Sequence, residues 1–278
     1  MPKYDEIGYW SEIKLDIIKE YASAYSKILS TKERSYFYHI YIDAFAGAGK
    51  HISKNTGEFI LGSPLNALLV SPPFKEYHLI DLNKQKIKSL EELSGSRSDV
   101  HIYHGDCNSV MLKHIIPKVR YDEYRRALCV LDPYGLHLDW EVIFNIAKMK
   151  TFDIFLNFPV ADMNRNVLWR NPEGVTEEQI ERMNKFWGDD SWLSIAYADS
   201  SQLSVFGETK IEKVSNEAIA EAFRQRLKTV AGFKNVPKPI AMRNTQNAII
   251  YYLFFASNQT VAQNIIQDIF NKYSNRKA

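Results

Sequence analysis

The chain has 278 residues, longer than the commonest domain size of about 100 to 150 but within the range of one α/β domain with insertions. Its 35 Lys and Arg against 33 Asp and Glu leave a net charge of +2, which excludes a polybasic protein, and 45% hydrophobic with 24% charged residues excludes an intrinsically disordered chain. No window reaches the about eighteen uncharged apolar residues of a membrane span, and the start MPKYDEIGYWSEIK lacks the apolar core of a secretory signal. With only Cys107 and Cys129 there is no disulfide framework, so a reducing cytoplasm is the expected compartment.

In chain order, Ile13, Ile17, Tyr21, Tyr25 and Ile28 recur at helical spacing and predict an amphipathic helix over residues 11–29. YHIYID (38–43) is rich in β-formers and runs directly into AFAGAGKH. HISKNTGEF (51–59) reads as a surface loop, and in LGSPLNALLV (61–70) Ser63 is a candidate N-cap with Pro64 as first helical residue. A strand over 76–81, a helix from Asn83 to Leu93, a strand over 100–104 and a helix from Asn108 to about Ile116 follow. RALCVLD (126–132) is a continuous apolar run, as in a strand buried on both faces of a parallel sheet. A helix over 139–148 and a second apolar strand over 152–158 complete a doubly wound pattern.

Beyond residue 160 the pattern loosens around an isolated helix, EEQIERMNKFWG. A helix over 215–230 precedes PKPIAMRN (237–244) and NAIIYYLFFAS (247–257), close enough to pair antiparallel, and a last helix at about 259–272. The expected organisation is one domain: an N-terminal helical extension (1–37), a cofactor-binding core (38–160), a helical insertion (161–235), and terminal strands and helix (236–278). Charge is uneven, with nine acidic and four basic residues over 151–200 against five acidic and eleven basic over 201–278. Such blocks steer a polyanion or are solvated helix faces. Arg120, Arg125 and Arg126 with Tyr121 and Tyr124 form a basic aromatic edge, either a phosphate contact or a solvated loop.

The chemistry concentrates at strand ends. Asp43 ends the first core strand and is followed by Phe45 and a Gly47-Ala48-Gly49 turn, where glycines let the backbone approach a ligand. A dinucleotide fingerprint needs a third glycine where Ile52 stands, and Asp43 would repel a pyrophosphate. It suits a ligand with an ammonium group, and S-adenosylmethionine, with an amine, a sulfonium and no phosphate, is such a ligand. Asp81 at the end of the second strand can accept from both ribose hydroxyls, and Asp106 in GDCN from an adenine amino group. Alone, each acid reads equally as a helix N-cap; together, at three successive strand ends, they form an adenosyl site. Asp43, Gly47 and Gly49 are thus expected at the methionine portion, Asp81 at the ribose and Asp106 at the adenine. Phe45, Ser63, Leu82, Cys107 and Asp132 complete the expected cofactor contacts.

Asp132-Pro133-Tyr134-Gly135 follows the apolar strand. Methyl transfer to an exocyclic or amide nitrogen needs the lone pair directed at the methyl group. Asp132 and the Pro133 carbonyl can accept the N–H groups while Tyr134 offers a stacking face; the alternative is a turn that merely stops the strand. His101, His104, His114 and His137 lack the ligand spacing of a zinc site, and no metal is expected.

At these residues the sequence resembles the class I S-adenosylmethionine-dependent methyltransferases and, more narrowly, the three-Cys-motif partner family of bacterial proteins. The stretches that carry the resemblance are Trp10 with KLDIIKEY (14–21), YIDAFAGAG, GSPLNAL (62–68), GDCN, VLDPYGL (130–136), DIFLNFP (153–159) with Arg165, FWGDDSW (186–192), PIAMRN and YYLFFAS. The resemblance implies a Rossmann-like α/β fold with a mostly parallel seven-stranded sheet and an antiparallel last strand. It also implies a partner with a three-cysteine motif, itself resembling radical S-adenosylmethionine proteins. DPYG departs from the Asp-Pro-Pro-Tyr of adenine and amide N-methyltransferases and is closer to the Asp-Pro-Phe-Gly of tRNA guanine N2-dimethyltransferases. The expected function is therefore an N-methyltransferase acting on an exocyclic base amine of nucleic acid, working with that partner. The alternative is a non-catalytic subunit whose methyltransferase fold binds the partner in a mobile-element or defence system.

Overall fold

Uninterrupted runs of β-branched and aromatic residues build the centre of the molecule. The computed structural model describes residues 4–169, 172–203, 209–244 and 246–274; residues 275–278 of the basic tail lie outside the described residues. A short strand β1 (Asp5–Ile7) and a long helix α1 (Tyr9–Leu29) lead into β2 (Tyr38–Asp43), the hairpin β3 (Lys50–Ser53) and β4 (Phe59–Leu61), and helix α2 (Ser63–Leu68). Next come β5 (Glu76–Asp81), α3 (Lys84–Ser94), β6 (Val100–His104), α4 (Cys107–Val110), β7 (Arg125–Leu131), α5 (Trp140–Met149) and β8 (Phe152–Phe158). The remainder is α6 (Val160–Asn166), α7 (Glu177–Trp187), α8 (Trp192–Ala196), the hairpin β9 (Tyr197–Leu203) and β10 (Thr209–Lys213), α9 (Asn216–Arg226), β11 (Ile240–Arg243), β12 (Ile249–Ser257) and α10 (Thr260–Ser274).

Seven strands form one sheet in the order β11-β12-β8-β7-β2-β5-β6. Strands β2, β5, β6, β7 and β8 run parallel, and β12 runs antiparallel to both β8 and β11. This is the expected Rossmann-like architecture, including the antiparallel last strand. From β2 the chain winds outward through β5 and β6, then returns to β7 and winds the other way. A crevice opens at the carboxyl ends of β2 and β7, where the winding reverses.

Side-chain alternation divides the core into two layers. Ile40, Ile42, Cys129, Leu131 and Ile154 face the layer that contains Trp140, Phe186 and Phe223, whereas Tyr41, Leu128, Val130 and Phe155 face Ile17 and Tyr21 of α1 and Ile266 of α10. Helices α6 to α9 pack onto the first layer: Phe223 meets Phe158 at 4.7 Å and Phe254 at 5.6 Å between ring centroids. That stretch is not wholly helical, because it also carries the β9–β10 hairpin.

Two local readings change. Residues 51–59, expected as a surface loop, are strand in part: β3 pairs antiparallel with β4 and parallel with β1. Ser53 fastens this small sheet to α1, donating to Glu12 Oε1 at 2.7 Å while accepting from the Asn55 and Thr56 N–H groups. Ser63 is not the N-cap of α2. Gly62 occupies that extended position, and Ser63 stands with Pro64 in the first turn, its hydroxyl directed at Asp43. Among the described residues, no helix is long and apolar enough to cross a membrane.

Candidate functional site at the strand carboxyl ends

Asp43, at the last position of β2, is fully enclosed. Its carboxylate accepts from the Ser63 hydroxyl at 2.6 Å, the Tyr41 hydroxyl at 3.2 Å and the Phe45 N–H at 3.3 Å. Burial pushes its carboxyl up to about 6, against the opposing pull of the Ser63 hydrogen bond. Asp43, expected to meet a ligand's amine, is instead an internal tie between β2, α2 and the glycine turn. Phe45 is half-buried and leans on the core.

The two glycines of the turn do different jobs. Gly47 and Gly49 both have positive φ, +66° and +80°. A Cβ on Gly49 would press on Leu65, Leu90 and Leu93 at 3.2–3.3 Å, whereas above Gly47 nothing lies within 4 Å. Gly49 therefore allows the turn to pack, and Gly47 leaves room beside it. The Gly47 N–H donates to Asp81 Oδ2 at 2.9 Å and the Asn83 N–H to Oδ1 at 2.7 Å. Asp81 thus clamps the turn to the end of β5, and each of its oxygens retains a lone pair. The adjacent Leu82 is 72% exposed.

At the end of β6 the N-cap reading of Asp106 is realised: Oδ2 accepts the Ser109 N–H at 2.8 Å. The residue is exposed, so its carboxylate keeps acceptor capacity toward solvent. Cys107 is buried, and burial together with the Asp106 charge pushes its thiol well above the usual range, which makes it packing rather than nucleophile. Asn108 has a role the sequence did not announce. Its Oδ1 accepts the Asp139 N–H at 2.8 Å and its Nδ2 donates to the His137 carbonyl at 3.2 Å, pinning the loop that follows Gly135.

Asp132 lies just past β7, with Pro133 buried and Tyr134 90% exposed. Gly135 has φ +65°, and a Cβ there would stand 2.9 Å from Asp162 Oδ2. Two residues absent from the sequence-based site hold Asp132. Asn157, from β8, donates to Oδ1 at 2.7 Å, and the Lys14 ammonium, from α1, donates to Oδ2. Lys14 is buried and lies 5.3 Å from the Tyr251 ring centroid. Burial alone would lower its pKa, but the charge of Asp132, followed by Tyr251, more than reverses this and holds it above the ordinary lysine range. Among the described residues, the Nδ1 of His51 and the Oδ1 of Asn157 are buried without a partner. The signal for Lys14 was present: Ile17 and Ile18 follow it at i+3 and i+4, so it sits on an inward face where a cation needs a partner.

Among the described residues no group of three or more His, Cys, Asp or Glu is placed to hold a metal. His101 lies 3.2 Å from Glu76 instead of joining the other histidines named above.

The enclosure of Asp43 has a measurable signature. A carboxyl raised from 3.8 to about 6 is protonated in the fold while already ionised in the unfolded chain, so its contribution to stability is complete below 3.8 and is lost as pH rises through about 6. The difference in unfolding free energy between wild type and Asp43→Asn is expected to fall with rising pH by about 1.4 kcal/mol per unit across that window and to stay level above it. Urea unfolding from pH 4 upward, in steps of about half a unit, measures it; a flat difference would mean that Asp43 is ionised throughout.

No protein-family model matches the chain, and no curated protein does. Among solved structures, a Legionella pneumophila protein is similar over 94% of this chain and 92% of its own, at 13% identity and a TM-score of 0.49. A SAM-dependent methyltransferase from Leishmania major is similar over 88% of this chain and 72% of its own, at 10% identity and a TM-score of 0.39. Likenesses this distant carry no functional argument.

Proposed function

We propose that the protein transfers a methyl group from S-adenosylmethionine to an exocyclic amine of a nucleic-acid base, working with a three-Cys-motif, radical S-adenosylmethionine-like partner. One observation supports its methyl-transfer part, and the partner rests on the sequence resemblance. Around the point where the winding reverses, the open space at Gly47, the half-buried Asp81, the exposed Leu82 and the exposed Asp106 occupy one side, and Asp132 with a projecting Tyr134 the other.

The residues fit such a cofactor. The gap above Gly47 admits a ligand that a side chain would block, Asp81 keeps lone pairs for two ribose hydroxyls, and Leu82 gives an apolar face beside them. When bound, S-adenosylmethionine supplies an electrophilic methyl group on a sulfonium. The chain's own residues would then do the positioning. Tyr134 stacks the base, Asp132 accepts an N–H from the amine with a lone pair that Lys14 and Asn157 leave free, and the amine's surplus proton departs to water.

Isothermal titration with S-adenosylmethionine is expected to show saturable binding that Asp81→Ala weakens by about tenfold or more, the worth of charge-assisted hydrogen bonds. Because Asp81 also clamps the turn, Leu82→Asp on an exposed side chain separates a lost contact from a lost fold. Absence of binding by wild type, or binding indifferent to both changes, overturns the cofactor assignment. A tritiated-methyl assay on total tRNA, DNA and protein, with and without the partner, identifies the acceptor; Tyr134→Ala is expected to lose most turnover at unchanged cofactor affinity. The engagement of both Asp132 oxygens favours one second reading, a non-catalytic subunit that binds the partner. Its outcome in the same assay is label in no pool with the partner present.

A further inference from the structure

A second cavity lies at the opposite, amino-terminal ends of β7 and β8, and the methyl-transfer reading makes no use of it. Its volume is about 300 Å3, and its walls come from the second half of α1, the segment before β2, the starts of β7 and β8, and the first turns of α10. This is near the lower limit of small-molecule sites, enough for one fused ring with a short tail.

Three features set its chemistry. Asp153 forms the inner wall and is 5% exposed. Its carboxylate accepts from the Tyr21 hydroxyl at 2.8 Å and from the Ser257 hydroxyl, one bond to each oxygen, so a lone pair remains on each for an incoming N–H. The side walls include Tyr25 and Phe37, and Tyr36 adds a ring that is 57% exposed. Two guanidinium groups, Arg34 and Arg126, also line the cavity. Arg126 stacks on Phe37 and Tyr121 at 4.8 and 4.3 Å from the ring centroids. Among the described residues neither guanidinium has a carboxylate within 4 Å, as Arg97 and Arg120 do; Arg126 donates to the Arg125 carbonyl at 2.7 Å and feels the charge of Asp153 across the cavity.

A buried carboxylate with spare lone pairs recruits N–H donors, unpaired guanidinium groups recruit an anion, and aromatic walls recruit a flat ring. A simple cation would leave the arginines unserved, and an aliphatic chain would leave Asp153 unserved. We propose that this cavity binds a small planar heteroaromatic anion, with ring N–H groups directed to Asp153, the ring among the tyrosines, and a phosphate or carboxylate on Arg34 and Arg126. A guanine nucleotide and an indole carboxylate share this chemistry and differ in the anion. The site is separate from the switch-point crevice and does not rest on the methyl-transfer reading.

The test titrates the full chain with guanosine 5′-monophosphate in one arm and indole-3-acetate in the other. Saturable binding in at least one arm is expected, with the arm identifying phosphate or carboxylate as the anion. Arg34→Gln, a change on a part-exposed side chain, is expected to weaken it by about tenfold or more, and guanosine, which lacks the anion, to bind weaker than its nucleotide by a similar factor. Tyr134→Ala and Asp81→Ala, at the other end of the sheet, are expected to leave the binding unchanged. The proposal is overturned if neither probe binds, if Arg34→Gln binds as wild type does, or if the binding disappears in Tyr134→Ala.

Discussion

Asp132→Ala is expected to lower the unfolding free energy by about 3 kcal/mol, and Lys14→Met by only about 1 kcal/mol, although the two side chains form one ion pair. The asymmetry follows from their surroundings. The Lys14 side chain is 10% exposed and the Asp132 side chain 30% exposed. Without Asp132 the ammonium is left in the interior with the face of Tyr251 as its near neighbour, and a stranded buried charge costs far more than the pair was worth. Without Lys14 the carboxylate still holds Asn157 and has water within reach. The double variant is expected to be more stable than the sum of the two losses predicts, with a coupling of about 1–3 kcal/mol. Urea unfolding of the four proteins measures the cycle; equal single losses without coupling would reduce the pair to a solvated surface contact. The raised Lys14 pKa also sets a pH window. Its contribution is complete below the unfolded lysine value of about 10.4 and is lost only as pH rises through the still higher folded value, so the Lys14 charge is constant across the neutral range.

The second large effect is expected at Gly188, where α7 ends. Gly188 has φ +105°, and a Cβ there would stand 2.5 Å from Cδ1 and 2.6 Å from Cγ of Trp140, with Arg226 Nη2 at 2.9 Å. The Trp140 ring cannot retreat, because it packs edge-on against Phe223 at 5.8 Å and beneath the Arg226 guanidinium at 4.8 Å. Gly188→Ala combines backbone strain with overpacking and is expected to cost about 3–5 kcal/mol. By contrast Gly47→Ala, where φ is also positive but nothing would be struck, is expected to cost about 1 kcal/mol. Thermal unfolding of the two variants compares them directly. Similar losses would show that Trp140 yields easily and that the segment after residue 160 is loosely seated.

Long apolar runs made most of the sheet legible in the sequence. YHIYID, EYHLID and FDIFLNF coincide with β2, β5 and β8, because a strand buried on both faces has few other ways to satisfy so many apolar side chains. The β1–β3–β4 sheet escaped because its strands are three or four residues long, too short for alternation to register. At the site, Asp81 and Asp132 were recognisable as acids at strand ends, whereas the enclosure of Asp43 depends on Ser63, twenty residues later, which the sequence offered as a helix cap. Lys14 and Asn157 were hidden for a related reason. A lysine within an amphipathic helix and an asparagine within an apolar strand announce that a partner is needed, but only the packing of α1 across the sheet says which one. The second cavity was the least legible, since its walls are drawn from four separate parts of the chain.

Helix α1 lies on α10, far along the chain: Glu20 accepts from Lys272, 252 residues away, at 2.7 Å and from the Tyr273 hydroxyl at 3.1 Å. The sheet face that both helices cover cannot be closed during synthesis until α10 has left the ribosome. Tyr251, the neighbour of Lys14, also arrives late, on β12. A nascent chain that has formed β2, β5, β6 and β7 already has its glycine turn and Asp81, but it does not yet have the setting that holds Asp132. The crevice at the switch point thus forms before the setting of Asp132 is complete, which waits for Asn157 on β8 and Tyr251 on β12.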